Sequence, residues 1–260
     1  MANFRDKVVL VTGASSGIGE ATAIKLAEHG ATLFLVALEE DKLQSVQQKC
    51  IEKGLVKEKV AYCSGDLSQS AFREEIVKNL IQKFGKLDIL ADIAGYVSLT
   101  NVSETKEEDY DRFVDVNQKA KFFLAQLCLP YIKETKGNII YMSSVRSTIP
   151  RVDTVVYCMA KAAIDMLTKC LAKELGPHGV RVNAINPGFI DDTNLLRNSG
   201  LKATDEDQKK YADLSAEQAH LKRAGKPADV VSLLLFLASD EASYITGSIN
   251  NVDGGYHLYP

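Results

Sequence analysis

The alternation of short apolar runs with longer amphipathic segments limits the possible folds of this chain more than any other feature. Seven runs rich in Val, Ile and Leu are predicted strands, at 7–13, 31–37, 59–65, 87–95, 137–144, 180–186 and 248–252. Segments predicted to be helical lie near 17–29, 40–53, 69–84, 104–134, 154–175 and 227–238. Strands without a polar face are typical of a parallel sheet covered on both sides. The pattern therefore predicts an α/β fold with a doubly wound parallel sheet of about seven strands and helices on both faces.

The size and charge of the chain argue against some classes of protein. Its 260 residues, 46% of them hydrophobic, suit one domain over 1–260. The net charge of −3, with basic residues scattered among acidic ones, gives no support for a nucleic-acid partner. No stretch approaches the ~20 apolar residues of a membrane span, and the N-terminus lacks the apolar core of a secretory signal. We therefore expect a cytoplasmic protein without a membrane partner.

The cysteines and histidines indicate neither disulfides nor a metal site. The number of cysteines is odd and no two form Cys-x-x-Cys, so we expect reduced, mostly buried thiols. The histidines lack the spacing of metal ligands, and we predict no bound metal. The residues concerned are Cys50, Cys63, Cys128, Cys158 and Cys170, and His29, His178, His220 and His257.

The segment "VTGASSGIGEATA" (11–23) predicts a phosphate-binding turn between the first strand and the first helix. Gly13, Gly17 and Gly19 allow a tight turn and the close approach of a ligand. The helix N-terminus that follows offers unpaired N–H groups and a positive dipole end, which suit a pyrophosphate. The segment lacks the Gly-Lys-Ser/Thr ending of a P-loop, so a dinucleotide is favoured over a nucleoside triphosphate. A purely structural glycine turn is the alternative.

The end of the second strand, "LVALEEDKL", bears on the cofactor's ribose. Ala37 and Leu38 are neutral, and the first charges are Glu39 and Glu40. These acids would repel a 2′-phosphate, and Ser16 supplies no positive charge to offset them, so NAD(H) is favoured over NADP(H). Alternatively, Glu39 is an acid of the first helical turn, stabilised by the helix dipole.

A tyrosine, Tyr157, and a lysine, Lys161, lie four positions apart in the largely apolar helix pattern of "VVYCMAKAAIDML" (155–167). Residues four apart lie on the same face of a helix, so the phenol and the ammonium point the same way. One interpretation is a core tyrosine beside a lysine that extends to water. The other is a functional pair in which the lysine stabilises the phenolate.

Three motifs in this order resemble the short-chain dehydrogenase/reductase family: "TGASSGIG" (12–19), "YCMAK" (157–161) and "NPG" (186–188). The similarity covers essentially the whole chain. It implies a single Rossmann-type domain that transfers hydride between a nicotinamide and an alcohol or carbonyl. Similar enzymes are usually tetramers, and "ITGSINNVDGG" (245–255) resembles their C-terminal interface segment, so a homotetramer, or else a dimer, is expected.

The resemblance also implies the site residues. The catalytic tetrad would be Asn117, Ser144, Tyr157 and Lys161, with Ser144 thirteen residues before the tyrosine. Asp66 would reach the adenine, and Asn186 would lie beside the nicotinamide together with the two residues that follow it. The expected cofactor contacts are Gly13, Ser15, Ser16, Gly17, Ile18, Gly19, Leu38, Glu39, Asp66, Leu67, Ala94, Gly95, Asn117, Tyr157, Lys161, Pro187, Gly188 and Ile190.

Elementary chemistry agrees with these roles. A tyrosine with a pKa near 10 is a poor base at neutral pH, and lowering that value by ~3 units takes roughly 4 kcal/mol of phenolate stabilisation. Lys161 and a positive nicotinamide ring are cations of the right sign. Tyr157 would then exchange the substrate's hydroxyl proton as general acid or base. Ser144 would hold the substrate oxygen, Lys161 the ribose hydroxyls, and Asn117 a water leading to solvent.

The chain departs from the family at three places. Asp92 and Ile93 stand where the family usually has two asparagines, which puts the local cofactor geometry in question. Asp192 stands where the family often has a threonine that touches the cofactor, with Thr193 one residue later. At the ribose, Leu38 replaces the arginine of many NADP-dependent members, and Ala37 the aspartate of many NAD-dependent ones.

The substrate is indicated only by the residues around the expected site. The long polar stretch 187–226 is a predicted substrate lid or helical insertion, with a solvated surface excursion as the alternative. Arg146 and Arg151 could contact an acid group or acyl carrier, or be solvated. An apolar steroid, isoprenoid or fatty-chain alcohol is predicted from Phe189, Leu195, Leu196, Leu201, Leu221, Val145, Ile149 and Val152.

Three functions follow from these observations. The leading one is an NAD(P)-dependent oxidoreductase acting on a secondary alcohol or ketone, and a 3-oxoacyl-thioester reductase is its alternative. A catalytically silent dinucleotide-binding scaffold or sensor is the alternative of another class. A serine hydrolase is excluded because Ser143 and Ser144 lack the G-x-S-x-G turn.

Overall fold

A computed structural model of the chain describes residues 3–97, 99–193 and 204–258. One seven-stranded sheet, with every neighbouring pair parallel, has the strand order β3-β2-β1-β4-β5-β6-β7. This confirms the predicted doubly wound, Rossmann-type sheet. The strands are β1 (Val8–Thr12), β2 (Thr32–Ala37), β3 (Val60–Ser64), β4 (Ile89–Asp92), β5 (Asn138–Met142), β6 (Arg181–Pro187) and β7 (Ile249–Val252).

Helices cover both faces of the sheet. They are α1 (Gly17–Glu28), α2 (Glu40–Glu52), α3 (Ser70–Phe84), α4 (Glu107–Val114), α5 (Ala120–Thr135), α6 (Val155–Leu175), α7 (Asp205–Gln218) and α8 (Pro227–Ala238). Short 3₁₀ turns lie at Lys57–Lys59, Val145–Ser147, Gly176–His178, Asp240–Ala242 and Tyr256–Leu258. Within the described residues, no helix is both long enough and apolar enough to cross a membrane.

Two predicted segments have more structure than the sequence indicated. The predicted helix 104–134 consists of α4 and α5 joined by one π-helical turn, Asp115–Lys119. The polar stretch 187–226 contains α7, as a helical insertion would, while the rest of its centre lies outside the described residues.

The core lies in two layers because successive strand residues point to opposite faces of the sheet. On β1, Val9 and Val11 pack with α1, α2 and α8, whereas Val8 and Leu10 pack with α3, α5 and α6. Every residue of β1 is buried, which explains its continuous apolar run.

The strand order determines where a ligand can bind. The chain moves outward from β1 through β2 to β3, then returns to β4 on the other side of β1. At this reversal the loops that follow β1 and β4 separate, and they leave a crevice at the carboxyl ends of the strands. The glycine turn follows β1, and Ile93–Gly95 follow β4, so both border the crevice.

The cysteines are less buried than expected. All five are free thiols, but only Cys50 and Cys128 are buried. Cys63 and Cys158 are half-buried, and Cys170 is exposed, because these side chains lie on the edge strand or the outer faces of α6. Burial raises the pKa of the Cys50 thiol to about 12, and the charge of Glu20 acts in the same direction.

Candidate active site

A cavity of about 860 Å³ occupies the crevice at the carboxyl ends of the strands. It extends from the glycine turn, past Asp66 and Leu67, to Ser144 and Tyr157. Of the expected cofactor contacts, Asn117 alone is not on its wall; the other seventeen all line it. Segments that are distant in the sequence thus meet around one space large enough for a dinucleotide and a small substrate.

The glycine turn has the shape that a pyrophosphate requires. Gly13 and Gly17 adopt φ values of +67° and +55°, which favour glycine. A Cβ on Gly19 would lie 2.0 Å from the carbonyl oxygen of Gly13, and a Cβ on Gly13 would lie 2.9 Å from the backbone of Ala94. The turn opens at the N-terminus of α1, whose first N–H groups have no partner inside the helix. The residues present therefore fit a dinucleotide.

The side chain of Glu39 turns toward the glycine turn. Ser15 Oγ donates to Glu39 Oε2 at 3.1 Å, and Lys42 Nζ lies 3.0 Å from Oε1. These hydrogen bonds, led by that of Lys42, lower the pKa of the Glu39 carboxyl. Glu39 is the residue before α2 but makes no side-chain cap. Its negative charge therefore borders the cavity, where a ribose would lie, and Leu38 beside it is 65% exposed.

Tyr157 and Lys161 lie on one buried face of α6, as predicted. Lys161 Nζ is 5.4 Å from the centre of the Tyr157 ring and donates to the carbonyl oxygen of Met142 at 2.9 Å. Burial raises the pKa of Tyr157 to about 12, against the opposing effects of the hydrogen bond from Ser144 and the charge of Arg146. Burial, and then the charge of Lys121, lower the pKa of Lys161 to about 7.

These values differ from the sequence argument, which expected Lys161 to lower the pKa of Tyr157. Loss of hydration outweighs the hydrogen bond from Ser144 and the charge of Arg146 because the Tyr157 side chain is almost fully enclosed. Lys161 also directs an N–H at the carbonyl oxygen of Met142. With its pKa raised by burial, Tyr157 holds its proton at neutral pH.

Asn117 lies in the π-helical turn between α4 and α5 and is completely buried. Its Oδ1 accepts from the backbone N–H of Tyr96 at 3.1 Å, and its Nδ2 donates to the carbonyl oxygen of Phe113 at 3.2 Å. Oδ1 would also lie 2.7 Å from a Cβ on Gly95. The amide thus holds the loop after β4 against the cavity, and its predicted part in proton transfer stays a prediction.

The departure at Asp92 is accommodated by an ion pair. Lys121 Nζ lies 3.0 Å from Asp92 Oδ1 and also donates to the carbonyl oxygen of Asp92, with side chains only 2% and 1% exposed. Thr12 Oγ1 donates to the same carboxylate at 2.7 Å and accepts from the N–H of Ala94 at 3.0 Å. The loop after β4 is therefore tied to β1 without the family's usual amides.

The Asn-Pro-Gly segment is only partly as expected. Pro187 and Gly188 line the cavity, but Asn186 does not. Its Nδ2 donates to Ser147 Oγ at 2.9 Å and to Asp165 Oδ2 at 3.0 Å, because the side chain lies between β6 and α6. These bonds connect the two elements, and the expectation that Asn186 borders the nicotinamide stays a prediction.

Thr193 reaches the cavity despite the register change. The preceding residue, Asp192, has a φ of +57°, and this left-handed backbone directs Thr193 toward the glycine turn. Thr193 Oγ1 donates to the carbonyl oxygen of Ile190, and its side chain lies beside Gly17.

Several wall residues were not singled out from the sequence. The loop after β4 contributes Tyr96, Val97 and Leu99, α7 contributes Tyr211 and Ser215, and the C-terminal turn contributes Tyr256. For Tyr211, a tyrosine in a mostly polar helix is a sequence signal that could have identified it. The wall residues in loops carry no such signal, because their place on the wall depends on how the loops fold.

Part of the predicted apolar lining is wrong. Phe189 and Val145 line the cavity, but Ile149, Val152 and Leu221 are not on its wall. Val152 is 83% exposed. Leu195, Leu196 and Leu201 lie outside the described residues.

The sequence is similar to those of known proteins over nearly its whole length. A family model described as enoyl-(acyl carrier protein) reductase matches residues 13–257. An uncharacterized oxidoreductase of Thermotoga maritima is 37% identical over 97% of this chain and 98% of its own length. The 3-oxoacyl-(acyl-carrier-protein) reductase FabG of the same organism is 35% identical over 96% of this chain and 97% of its own length.

A solved structure with nearly the same backbone comes from Caenorhabditis elegans. It is described as a short-chain dehydrogenase/reductase of unknown function with cofactor. It matches with a TM-score of 0.94 at 28% identity, over 99% of this chain and 97% of that chain.

Proposed function

The chain belongs to the short-chain dehydrogenase/reductase family, and from this premise we propose that it is an NAD(P)-dependent oxidoreductase acting on a secondary alcohol or ketone. One observation carries the proposal: Ser144, Tyr157 and Lys161 meet on the wall of the cavity that also holds the glycine turn. A scaffold that only binds a dinucleotide needs the turn but not this group.

Tyr157 moves the proton. In reduction, its phenol donates the hydroxyl proton to the carbonyl oxygen as hydride arrives at the carbonyl carbon. In oxidation, the same oxygen takes the proton from the alcohol as the C–H electron pair leaves. A bound nicotinamide supplies or accepts that hydride. Because burial raises the pKa of Tyr157 to about 12, the phenol holds its proton at neutral pH and can donate it.

Ser144 and Lys161 orient the reacting groups. Ser144 neighbours the phenol and can donate to the substrate oxygen that Tyr157 protonates. Lys161 has one N–H directed at the carbonyl oxygen of Met142, which fixes its position under the cavity floor. Its other N–H groups can reach ribose hydroxyls and the phenol.

We propose NAD(H) as the preferred cofactor. The carboxylate of Glu39 is held at the ribose end of the cavity by Ser15 and Lys42, and it would repel a 2′-phosphate. Leu38, the residue before Glu39, is exposed and uncharged, so it supplies no positive charge to offset this repulsion.

The substrate half of the cavity is mainly apolar. Its wall includes Val97, Leu99, Val145, Phe189 and Ile190. These side chains favour a ketone or alcohol with an apolar body, and α7 would cover it as a lid through Tyr211 and Ser215.

We also propose self-association. Four large apolar side chains are exposed on neighbouring helices: Phe122 and Phe123 on α5, and Met159 and Met166 on α6. Exposed apolar groups concentrated on two helices are typical of a protein–protein interface.

The proposed function is tested in two steps. Titration of the protein with NADH and with NADPH, followed by nicotinamide fluorescence, measures both dissociation constants. A panel of ketones is then assayed with the tighter cofactor, by the loss of its absorbance. Binding with reduction of at least one ketone supports the proposal; binding without any turnover would favour the silent scaffold.

A further inference from the structure

We propose that Arg146 recognises a carboxylate on the substrate, so that the site selects compounds that combine an anionic group with an apolar body. The inference rests on the oxidoreductase function proposed above and specifies its substrate class.

The backbone places Arg146 next to the reacting groups. It lies in the 3₁₀ turn Val145–Ser147, two residues after Ser144, and its N–H donates to Ser144 Oγ at 3.2 Å. Its side chain lines the same cavity as Tyr157. Although burial dominates the pKa of Tyr157, the positive charge of Arg146 acts to lower it.

A neutral partner holds the guanidinium. Arg146 Nη2 donates to Tyr256 Oη at 2.8 Å, and its Cζ lies 5.2 Å from the centre of the Tyr256 ring. Through residues 3–97, 99–193 and 204–258, no carboxylate lies within 4.0 Å of Arg146. A guanidinium has five N–H donors, and the tyrosine hydroxyl accepts only one of them. Arg146 is therefore a half-buried cation that is oriented but not neutralised.

The second arginine of the cavity wall is different. Arg151 Nε lies 2.7 Å from Asp153 Oδ1, and its Nη2 donates to Asp153 Oδ2 at 3.1 Å. It also donates to the hydroxyl of Tyr211. This two-bond pairing with a carboxylate leaves Arg151 satisfied within the protein. Arg146 lacks such a partner, so a ligand carboxylate can take that place.

The acids on the cavity wall lie away from Arg146. Glu39 and Asp66 are at the glycine-turn end, and Asp109 is exposed on α4 beside Arg112. Val145 and Phe189 add apolar wall to the same cavity. A ligand carboxylate would meet a cation in a partly desolvated site, where a charge-assisted bond is strong. A neutral ligand would leave that cation unpaired, so the site discriminates against it.

Calorimetric titration tests the inference without requiring turnover. The protein with saturating NAD⁺ or NADP⁺, whichever binds, is titrated with hexanoate and octanoate, and with hexanamide and octanamide as uncharged matches. We expect the carboxylates to bind about 10- to 100-fold more tightly than the amides, since hydrogen bonds to charged groups contribute that much. Equal affinity for both kinds of ligand would overturn the proposal.

Two variants locate the effect. Arg146→Gln should abolish the preference for the carboxylates, whereas Arg151→Gln, the same change at the neutralised arginine, should retain it. A preference that survives Arg146→Gln, or that is lost in Arg151→Gln, would overturn the proposal. The Kd of Arg146→Gln for NADH is measured first, since a large loss would mean that the guanidinium holds the cofactor instead.

The outcome is separable from that of the proposed function. A carboxylate preference that depends on Arg146 supports the recognition site even in a protein that reduces no ketone, and such a protein would refute the oxidoreductase proposal alone. Where turnover is found, an oxo acid and its methyl ester give the second readout: kcat/KM for the acid should fall about 10- to 100-fold in Arg146→Gln, and for the ester far less.

Discussion

Asp92 and Lys121 form an ion pair that is completely enclosed between β4 and α5, with Nζ 3.0 Å from Oδ1. The second carboxylate oxygen, Oδ2, has no hydrogen-bond partner among the described residues, nor does the hydroxyl of Tyr141 on the neighbouring strand. Burial, and then the charge of Asp92, raise the pKa of Tyr141 well above its ordinary value. The buried Asp92 carboxylate, which lies just before the loop after β4, therefore has Lys121 as its ion-pair partner and Thr12 as a further hydrogen-bond donor.

Removing one member of this pair should be costly. Lys121→Met leaves the Asp92 carboxylate buried and unpaired, and we expect a loss of about 3–5 kcal/mol in the free energy of unfolding. Lys119→Met is the matched control on the adjoining turn, because its pair with Asp115 is exposed and contributes below about 1 kcal/mol. Urea denaturation measures both. The double variant Asp92→Asn with Lys121→Met should recover much of the loss, and similar losses for the two lysine variants would contradict this account.

Lys161 should make stability rise with pH. Its pKa is about 7 in the folded protein, through burial and then the charge of Lys121, against about 10.4 in an unfolded chain. Between these values the unfolded state binds a proton that the folded state does not, so the free energy of unfolding increases with pH. The free energy of unfolding of the wild type, measured relative to that of Lys161→Met, should rise by about 1 kcal/mol per pH unit from about pH 7 to about pH 9. Urea unfolding across this range measures it, and a pH-independent difference would count against the lowered pKa.

Cofactor preference should respond to the residue beside Glu39. Leu38→Arg places a guanidinium at the ribose end of the cavity, and we expect the affinity ratio of NADPH to NADH to rise by about tenfold or more. Val56→Arg, at an exposed site outside the cavity, is the matched control and should leave the ratio unchanged. Fluorescence titrations measure both. An unaltered ratio in Leu38→Arg would show that residue 38 does not face the ribose.

Association should depend on the exposed methionines of α6. Met159→Lys combined with Met166→Lys introduces charge into the proposed interface, and we expect a smaller species in sedimentation velocity than the wild type. Val102→Lys, at another exposed apolar position, should leave the sedimentation coefficient unchanged. The proposal of self-association through this face fails if both variants sediment like the wild type.

The sheet and the glycine turn could be predicted from the sequence because their signals are local. A strand buried on both faces must be apolar along its whole length, and the seven runs marked β1 to β7 within a few residues. The turn after β1 needs glycine at Gly13 and Gly19, since any side chain there would meet backbone atoms. Such requirements determine the residue types at neighbouring positions, so they can be recognised in the sequence.

The rest of the site depends on contacts between distant residues. Asp92 and Lys121 are 29 positions apart, and the sequence shows only an acid in an apolar strand and a lysine in an apolar helix. Each of these opposite charges lies in a segment whose apolar residues predict burial, and this signal could have identified Asp92 and Lys121 as an ion pair. Asn186 turns away from the cavity because Asp165 and Ser147 hold its amide, which no local pattern reveals. Arg146 and Arg151 look alike in sequence, and only the position of Asp153 separates them.

Tyr157→Phe tests whether Tyr157 exchanges the proton of the substrate. The substitution removes one oxygen from a buried ring, so the fold and the glycine turn should persist. Single-turnover measurement of NADH or NADPH oxidation, beside the Kd of the same cofactor, separates chemistry from binding. We expect a Kd close to that of the wild type with a rate lower by at least about 10²-fold. A variant that binds the cofactor and reduces the ketone at the wild-type rate would contradict it.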